Sequence, residues 1–289
     1  MINKAIYLII INVGLSLGCY AQETPQMYAH RGYRGMMPEN TIAAMKYALD
    51  QGAAVLEMDI AFTSDGHAVL SHDPWLDSLI TLDVNGAPIK KGKDLPIYKM
   101  TYSDILKYDV GSQQHKDFHG QKNFKARMPR LTDLIDSVES YGKSIGVSPR
   151  YSIETKTSKS RDHVAQPTPE VFVRELMRII EEKGVKDRVI IQSFDPRTLE
   201  LVHRDYPGVI TMLNATKGTF EENMAMLTFL PTYYAPNANL INQELVDKCN
   251  ELGIKLLCGN NNSKKEIDRV RELGINEFCS DYPYELLPN

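Results

Sequence analysis

The segment "AAVLEMDIAFTSDGHAVLSHD", residues 53–73, joins a strongly apolar strand pattern to a pair of acidic residues. Apolar residues dominate Val55–Phe62, which is typical of a strand buried on both faces in a parallel sheet. Glu57 and Asp59 interrupt this run, and because side chains alternate along a strand, both carboxylates point to the same face. Two unpaired buried anions are energetically costly, so the segment predicts a compensating positive charge beside them.

Apolar runs of strand length alternate with segments of helical period along the rest of the chain. We expect strands near residues 27–30, 55–62, 152–156, 189–193, 209–213, 233–236, 254–258 and 277–280. We expect helices near residues 41–51, 131–141, 168–183, 196–205, 219–229, 242–252 and 263–273. Glycines follow five of these helices, as helix C-termini favour, at Gly52, Gly142, Gly184, Gly253 and Gly274. Eight strands alternating with helices predict a (β/α)8 TIM barrel of the α/β class.

Length and composition are consistent with one such barrel. The chain has 289 residues, and its apolar and charged contents are near the averages for globular proteins. A net charge of −4 offers no basic face, so we expect no binding of nucleic acid. We predict a single domain over residues 22–289, with an irregular insertion after the second strand at about residues 74–128. The sequence leaves the oligomeric state open.

The N-terminus, "MINKAIYLIIINVGLSLGCYAQE", has the layout of a secretory signal peptide. A positive residue, an apolar stretch over residues 5–18 and a small-x-small cleavage site at residues 19–21 follow in order. The apolar stretch is too short for a stable membrane span. We therefore expect removal of residues 1–21 and export to the periplasm or the medium. Lipid attachment at Cys19 is disfavoured because the preceding residues fit the lipoprotein pattern poorly.

Polar residues gather where the strands of the predicted barrel end. In such barrels the active site lies at the carboxyl ends of the strands. The Asp65-Gly66 turn predicts a hairpin that returns the chain to this end. The polar residues that fall there are His30, Arg31, Glu57, Asp59, His72, Asp73, Glu154 and Lys156. Each has a structural explanation when taken alone, including a salt-bridge network that joins the carboxylates to Arg31 and Lys156.

Together, these residue types favour chemistry on a phosphodiester. Three oxygen-donor carboxylates without cysteine suit one hard divalent cation, Mg²⁺ or Ca²⁺. Arginine and lysine beside such a cation suit the oxygens of a phosphate. The two histidines would supply a base for the attacking hydroxyl and an acid for the departing oxygen. Asn40-Thr41 and Asp195 are better explained as helix starts.

The ordered set of motifs resembles one enzyme family. "AHRGYRGMMPENTIAAMKYALDQGAAVLEMDIAFTSDGHAVLSHDPWL", residues 29–76, is similar to the opening of the glycerophosphodiester phosphodiesterase family, and "SIETK" and "RVIIQSFD" match later family motifs. The resemblance implies a TIM barrel with an insertion after strand two that hydrolyses glycerophosphodiesters to sn-glycerol 3-phosphate and an alcohol. The site residues that it implies are His30 and His72 as the acid/base pair, Arg31 and Lys156 as phosphate ligands, and Glu57, Asp59 and Glu154 as metal ligands.

The chain departs from the family pattern on the alcohol side of the predicted site. Cys258, in "LLCGNNN", stands where members often carry an aromatic pocket wall, Ser280-Asp281 replaces a Thr-Asp pair, and "PWLDSLI" lacks an arginine. One alternative is therefore a phosphodiesterase of the same fold for another polyol or sugar diester. A catalytically silent barrel that binds phosphate ligands is another, against which the complete set of seven site residues argues. A metal-dependent isomerase or aldolase for sugar phosphates is a further class.

Overall fold

The computed structural model describes residues 25–90 and 92–288 as a parallel β-barrel surrounded by helices. The strands are β1 (Gln26–Ala29), β2 (Val55–Phe62), β3 (Ala68–Leu70), β4 (Tyr151–Thr155), β5 (Val189–Ser193), β6 (Ile210–Ala215), β7 (Tyr233–Pro236), β8 (Lys255–Leu256) and β9 (Glu277–Ser280). The α-helices are α1 (Ile42–Asp50), α2 (Tyr102–Ile105), α3 (Leu131–Ser144), α4 (Pro169–Glu182), α5 (Pro196–Asp205), α6 (Phe220–Met224), α7 (Gln243–Leu252) and α8 (Lys264–Arg271). The predicted signal peptide lies outside the described residues, so its removal stays a prediction.

The strands form a ring. Their order is β8-β7-β6-β5-β4-β2-β1-β9, all neighbours are parallel, and β3 pairs antiparallel with β2 as the returning arm of a hairpin. Backbone hydrogen bonds just beyond β8 close the ring, from Cys258 N to Glu277 O at 3.1 Å and from Cys279 N to Cys258 O at 2.9 Å. The predicted TIM-barrel fold is therefore confirmed.

Apolar side chains fill the lower part of the barrel interior. Residues from seven strands or their ends pack there in one cluster, namely Tyr28, Val55, Ile190, Met212, Tyr233, Leu257 and Cys279. All eight residues of β2 are buried, as expected for a strand covered on both faces. The register between β2 and β4 places Asp59 beside Glu154. The acidic residues therefore lie above the apolar layer, at the carboxyl end of the barrel.

Helix starts agree with the sequence better than helix ends do. The Thr41 hydroxyl accepts from Ala44 N at the start of α1, and the Asp195 carboxylate accepts from Arg197 N at the start of α5. The expectation that Gly142 follows a helix is wrong, because α3 continues to Ser144. Gly142 instead permits a close approach, since a Cβ there would lie 2.7 Å from Val147 O.

The expected sixth helix is shorter than the sequence indicates. α6 ends at Met224, whereas the apolar pattern continues to residue 229. Leu227 and Phe229 pack against the core from the loop that follows, so their burial needs no helix.

The segment between β3 and α3 contains α2 and two short 3₁₀ helices rather than barrel strands. It packs over its own apolar cluster, which includes Val69, Leu76, Ile97, Ile105 and Met128. The segment therefore forms an ordered flank of the barrel mouth. Among the described residues, no helix is both long and apolar enough to cross a bilayer.

Candidate active site

A cavity of about 740 Å³ lies at the carboxyl ends of the barrel strands. This volume lies in the range of small-molecule sites. Six of the seven predicted site residues line it, namely His30, Arg31, Glu57, His72, Glu154 and Lys156. The seventh, Asp59, is 1% exposed and is ion-paired with two of the lining residues. The structure therefore brings the predicted residues together at one end of the barrel.

Three buried carboxylates are placed closely enough to hold a metal ion. Glu57, Asp59 and Glu154 each offer one oxygen, and these oxygens all lie within 4.8 Å of one another. Oxygen ligands lie about 2.0–2.6 Å from Mg²⁺ or Ca²⁺, so two ligands of one cation are at most about 5 Å apart. The donor set and its spacing therefore fit the predicted divalent cation.

Two cations are ion-paired with this cluster. Lys156 Nζ lies 2.8 Å from Glu154 Oε1 and 3.7 Å from Asp59 Oδ1. Arg31 Nε lies 3.3 Å from Asp59 Oδ2, while its Nη1 donates to Glu39 Oε1 at 2.9 Å. The ion pairs that a purely structural salt-bridge network requires are therefore present. Whether they neutralise all of the buried carboxylates depends on the balance of charges.

The network has more buried negative charge than its cations neutralise. The network contains five buried carboxylates and three cations, joined by ion pairs and hydrogen bonds. The carboxylates are Glu39, Glu57, Asp59, Glu154 and Asp281, and the cations are Arg31, Arg34 and Lys156. The excess of two negative charges equals the charge of one divalent cation.

The excess charge acts most strongly on Glu57. Burial, and then the charges of Asp59 and Glu154, raise the pKa of Glu57 well above its ordinary value. Burial would also raise the pKa of Asp59, but Arg31 and then Lys156 hold it below its ordinary value. Glu57 therefore has the greater need of a bound proton or cation.

An amide relay holds Glu57 in place, and sequence reasoning missed it. Glu57 Oε2 accepts from Arg31 N at 2.8 Å, and its Oε1 accepts from Gln192 Nε2 at 2.7 Å. Gln192 Oε1 in turn accepts from Asn214 Nδ2 at 3.2 Å. The three side chains come from β2, β5 and β6, so the relay crosses the barrel interior.

Asn40 was interpreted only as part of a helix start, yet it contacts the carboxylate cluster. Its Nδ2 donates to Asp59 Oδ2 at 3.0 Å, and its Oδ1 accepts from Asp59 N at 3.3 Å. Asn40 adopts φ +56°, a left-handed conformation that asparagine tolerates better than most residues. The "PEN" segment before α1 therefore positions the site as well as starting the helix.

His30 is buried and hydrogen-bonded to Asp281. The distance from His30 Nδ1 to Asp281 Oδ1 is 2.6 Å. An ionised carboxylate only accepts, so Nδ1 carries the hydrogen and Nε2 keeps its lone pair. Arg34 Nε, at 2.7 Å, and Asn262 Nδ2, at 2.8 Å, also donate to Asp281. Burial, and then the Arg31 guanidinium, lower the pKa of His30 to about 4, although Asp281 acts to raise it.

His72 has a different environment. It follows β3 at the mouth of the cavity, where its side chain is 36% exposed and its Nδ1 lies 3.1 Å from Asp73 Oδ1. The two histidines therefore line one cavity with unequal access to water, which suits unequal roles in proton transfer.

Cys258, which stands where family members often carry an aromatic pocket wall, does not line the cavity. Its side chain is fully buried in the core cluster, while the neighbours Leu257 and Gly259 line the cavity. Side chains of adjacent residues in an extended segment point to opposite faces, which explains the difference. Asn260 and Asn261 also line the cavity, so this part of the wall is polar rather than aromatic.

Comparison with known proteins identifies the family. The profile of the glycerophosphoryl diester phosphodiesterase family matches residues 30–285. The chain belongs to this family. It is therefore a hydrolase of the phosphodiesterase class, as the sequence predicted.

Individual relatives cover nearly the whole barrel. A glycerophosphodiester phosphodiesterase of Caldanaerobacter subterraneus subsp. tengcongensis is 28% identical over 264 residues, which are 90% of this chain and 95% of the relative. One from Bacillus subtilis is 26% identical and is covered over 83% of its length. The solved structure of an Oleispira antarctica phosphodiesterase in complex with its product sn-glycerol-3-phosphate is 22% identical, has a TM-score of 0.72, and covers 91% of this chain and 95% of that one. At this identity, the last comparison supports the fold.

Proposed function

We propose that the protein hydrolyses glycerophosphodiesters to sn-glycerol 3-phosphate and an alcohol, with one divalent cation, Mg²⁺ or Ca²⁺. The observation that carries this proposal is the meeting of a three-carboxylate cluster and a tautomer-fixed histidine in one cavity. Relatives named for this activity match along nearly the whole barrel, which supports the choice of substrate. The signal-peptide pattern supports action outside the cytoplasm.

The phosphate would bind on the charged side of the cavity. Lys156 Nζ and the remaining N–H groups of Arg31 would donate to its non-bridging oxygens. Both cations are already oriented by carboxylates, so little further ordering is needed on binding. A cation held by Glu57, Asp59 and Glu154 would add charge neutralisation and polarise the phosphorus–oxygen bonds.

The two histidines would divide the proton transfers. His30 Nε2 would accept the proton of the attacking hydroxyl, either water or the neighbouring hydroxyl of the glycerol group. The new phosphorus–oxygen bond forms as the bond to the alcohol oxygen breaks, and His72 would protonate that departing oxygen. Attack by water gives sn-glycerol 3-phosphate directly, whereas attack by the glycerol hydroxyl gives a cyclic phosphate that water would then open to the same product. The low pKa of His30 keeps it unprotonated at neutral pH, as a base must be, while His72 lies at the more open position of the cavity.

The pH profile tests the assignment of His30 as the base. The base must be unprotonated, so activity is lost as pH falls through its pKa. With metal saturating, kcat/KM should not fall between pH 7 and about 5 and should fall near pH 4, because the pKa of His30 is lowered to about 4. Asp281 raises that pKa, so Asp281→Asn should move the acid limb to lower pH. A limb near pH 6.5, the ordinary value for histidine, or one that does not move in the variant, would contradict this assignment.

Product analysis tests the reaction itself. Purified mature protein with Mg²⁺ or Ca²⁺ should release sn-glycerol 3-phosphate from glycerophosphodiesters and p-nitrophenol from bis(p-nitrophenyl) phosphate. Cleavage of the aryl diester alone would leave the chemistry in place and remove the glycerol assignment. No cleavage of any diester would favour the silent binding barrel, and a product that keeps all its phosphate esters would favour an isomerase or aldolase.

A further inference from the structure

The cavity has two sides with different electrostatic character. Charged residues of the predicted centre come from β2 and β4 and from the loops after β1, β3 and β4. The opposite side carries a group of amide side chains, here called the amide wall, which consists of Asn214, Asn237, Asn239, Asn260 and Asn261. Two residues of opposite charge also lie on this side, where Glu266 accepts from Asn262 N and Arg269 donates to Ala238 O. The wall therefore presents neutral hydrogen-bonding groups.

Two amide oxygens of the wall are buried and have no hydrogen-bond partner within the part of the chain that the structure describes. They are Asn214 Oδ1 and Asn261 Oδ1, and both residues are more than nine-tenths buried. Their Nδ2 groups are occupied, since Asn214 donates to Gln192 and Asn261 donates to Cys258 O at 3.1 Å. A buried acceptor without a partner is costly unless water or a ligand donates to it, and a ligand hydroxyl can take the place of such a water.

The orientation of these amides follows from their neighbours. Glu57 must be ionised to act as a metal ligand and then can only accept, so Gln192 presents its Nε2 to Glu57 and its Oε1 to Asn214. Asn214 then has to present Nδ2 to Gln192, which leaves its Oδ1 as the free acceptor. The Cys258 carbonyl likewise fixes Nδ2 of Asn261. Both unpaired atoms are thus acceptors, and they call for a ligand that donates hydrogen bonds.

Hydroxyl groups meet this requirement and choline does not. A hydroxyl both donates and accepts, so it can pair with either end of an amide. A quaternary ammonium has no N–H and is usually recognised by the faces of several aromatic rings. Among the described residues that line the cavity, Phe194 supplies the one phenylalanine ring, and none is a tryptophan or a tyrosine. The amide wall is thus poorly suited to choline.

We propose that the amide wall selects diesters whose alcohol carries several hydroxyl groups, such as glycerol or inositol, over those of choline. This selectivity rests on the proposed function, because it concerns the alcohol of the same substrate. The hydroxyls donate to Asn214 Oδ1 and Asn261 Oδ1 and exchange further hydrogen bonds with the exposed amides at the rim. The wall orients the alcohol beside the charged side, where the phosphate binds.

A substrate panel tests the proposal on the unaltered protein. We expect kcat/KM for glycerophosphoinositol and glycerophosphoglycerol to exceed that for glycerophosphocholine by about tenfold or more, since each added hydrogen bond contributes roughly two- to tenfold. Equal or higher kcat/KM for glycerophosphocholine would overturn the proposal while leaving the proposed function intact. Hydrolysis of bis(p-nitrophenyl) phosphate runs in parallel as a measure of the charged side alone.

A variant pair locates the selectivity. Asn214→Leu has nearly the same side-chain shape without the acceptor, and it should reduce the ratio of inositol to choline substrates by about two- to tenfold. The ratio of kcat/KM values is measured because Asn214→Leu also removes the hydrogen bond to Gln192, which can lower the rates for all substrates together. Asn250→Leu, on the exposed face of α7, is the matched control and should leave the ratio unchanged. Asn239→Leu at the exposed rim is a second variant, should Asn214→Leu fail to fold. An unchanged ratio in both wall variants would overturn the proposal.

Inhibition by free alcohols separates the two proposals. If the protein cleaves only the aryl diester, the proposed function is wrong, and the wall is then tested by inhibition of that reaction. Stronger inhibition by myo-inositol than by choline would support the wall as a polyol site. Equal or weaker inhibition by myo-inositol would overturn it.

Discussion

Removal of divalent cations should abolish hydrolysis, and Glu57→Gln should reproduce much of the loss. Metal ions that polarise a phosphoryl group contribute several kcal/mol, so chelation should lower kcat by at least about 10²–10⁴-fold, and Mg²⁺ or Ca²⁺ should restore it. The physical reason is the excess of two negative charges in the buried network around Glu57, Asp59 and Glu154. Glu57→Gln removes one of them and should weaken metal binding by more than about 10-fold.

Metal binding should be measured directly as well as through activity. Titration calorimetry, and the rise of Tm on addition of metal, report binding to the folded state. Glu251→Gln, which removes a carboxylate from the exposed face of α7, is the matched control and should keep the full response. Full activity in a thoroughly metal-free sample, or an unchanged Tm response in Glu57→Gln, would show that the carboxylates serve a structural network instead.

His30→Ala should lower kcat by about 10²–10⁴-fold while metal binding is retained. The side chain that accepts the proton is lost, whereas the carboxylate cluster on β2 and β4 keeps its own contacts. The change also leaves Asp281 without its 2.6 Å partner, but Arg34 and Asn262 still donate to that carboxylate. The fold should therefore survive the substitution.

The matched control for His30→Ala is His119→Ala, because His119 is exposed in the segment between β3 and α3. It should keep normal kcat. Single-turnover rates and far-UV circular dichroism would separate a chemical defect from unfolding. Near-normal kcat in His30→Ala would mean that the His30–Asp281 pair is structural and that another group acts as the base.

The strands of the barrel could be predicted closely because parallel strands are continuous apolar runs. The expected and observed bounds coincide for β2, β5, β7 and β9. Helix ends were less predictable, because amphipathic spacing continues past the last hydrogen-bonded turn. The loop residues after α6 pack against the core as a helix face would, and α3 runs past Gly142. Local pattern therefore defines where an element begins better than where it ends.

The charged part of the site could be predicted because ionisable residues stand out in apolar strands. The partners that orient them could not. Asp281 lies 251 positions from His30 along the chain, so their contact depends on the closure of the barrel. Gln192 and Asn214 are neutral, and no charge pattern marks them as partners of Glu57. One signal was available, because both residues lie near the carboxyl end of a strand. Gln192 is the next-to-last residue of β5, and Asn214 is the next-to-last residue of β6.

The two sides of the cavity are formed by two different stretches of the chain. The charged side is encoded between residues 30 and 156, and the amide wall between residues 214 and 261. Substitution in the later stretch can reshape the alcohol side without replacing a charged residue of the earlier one. Gln192 joins the two parts by contacting Glu57 and Asn214, while Asp281 contacts His30 and Asn262, the residue that follows the wall. A protein engineer could therefore exchange the later loops for those of a relative to alter substrate choice, provided that these two connecting residues are kept.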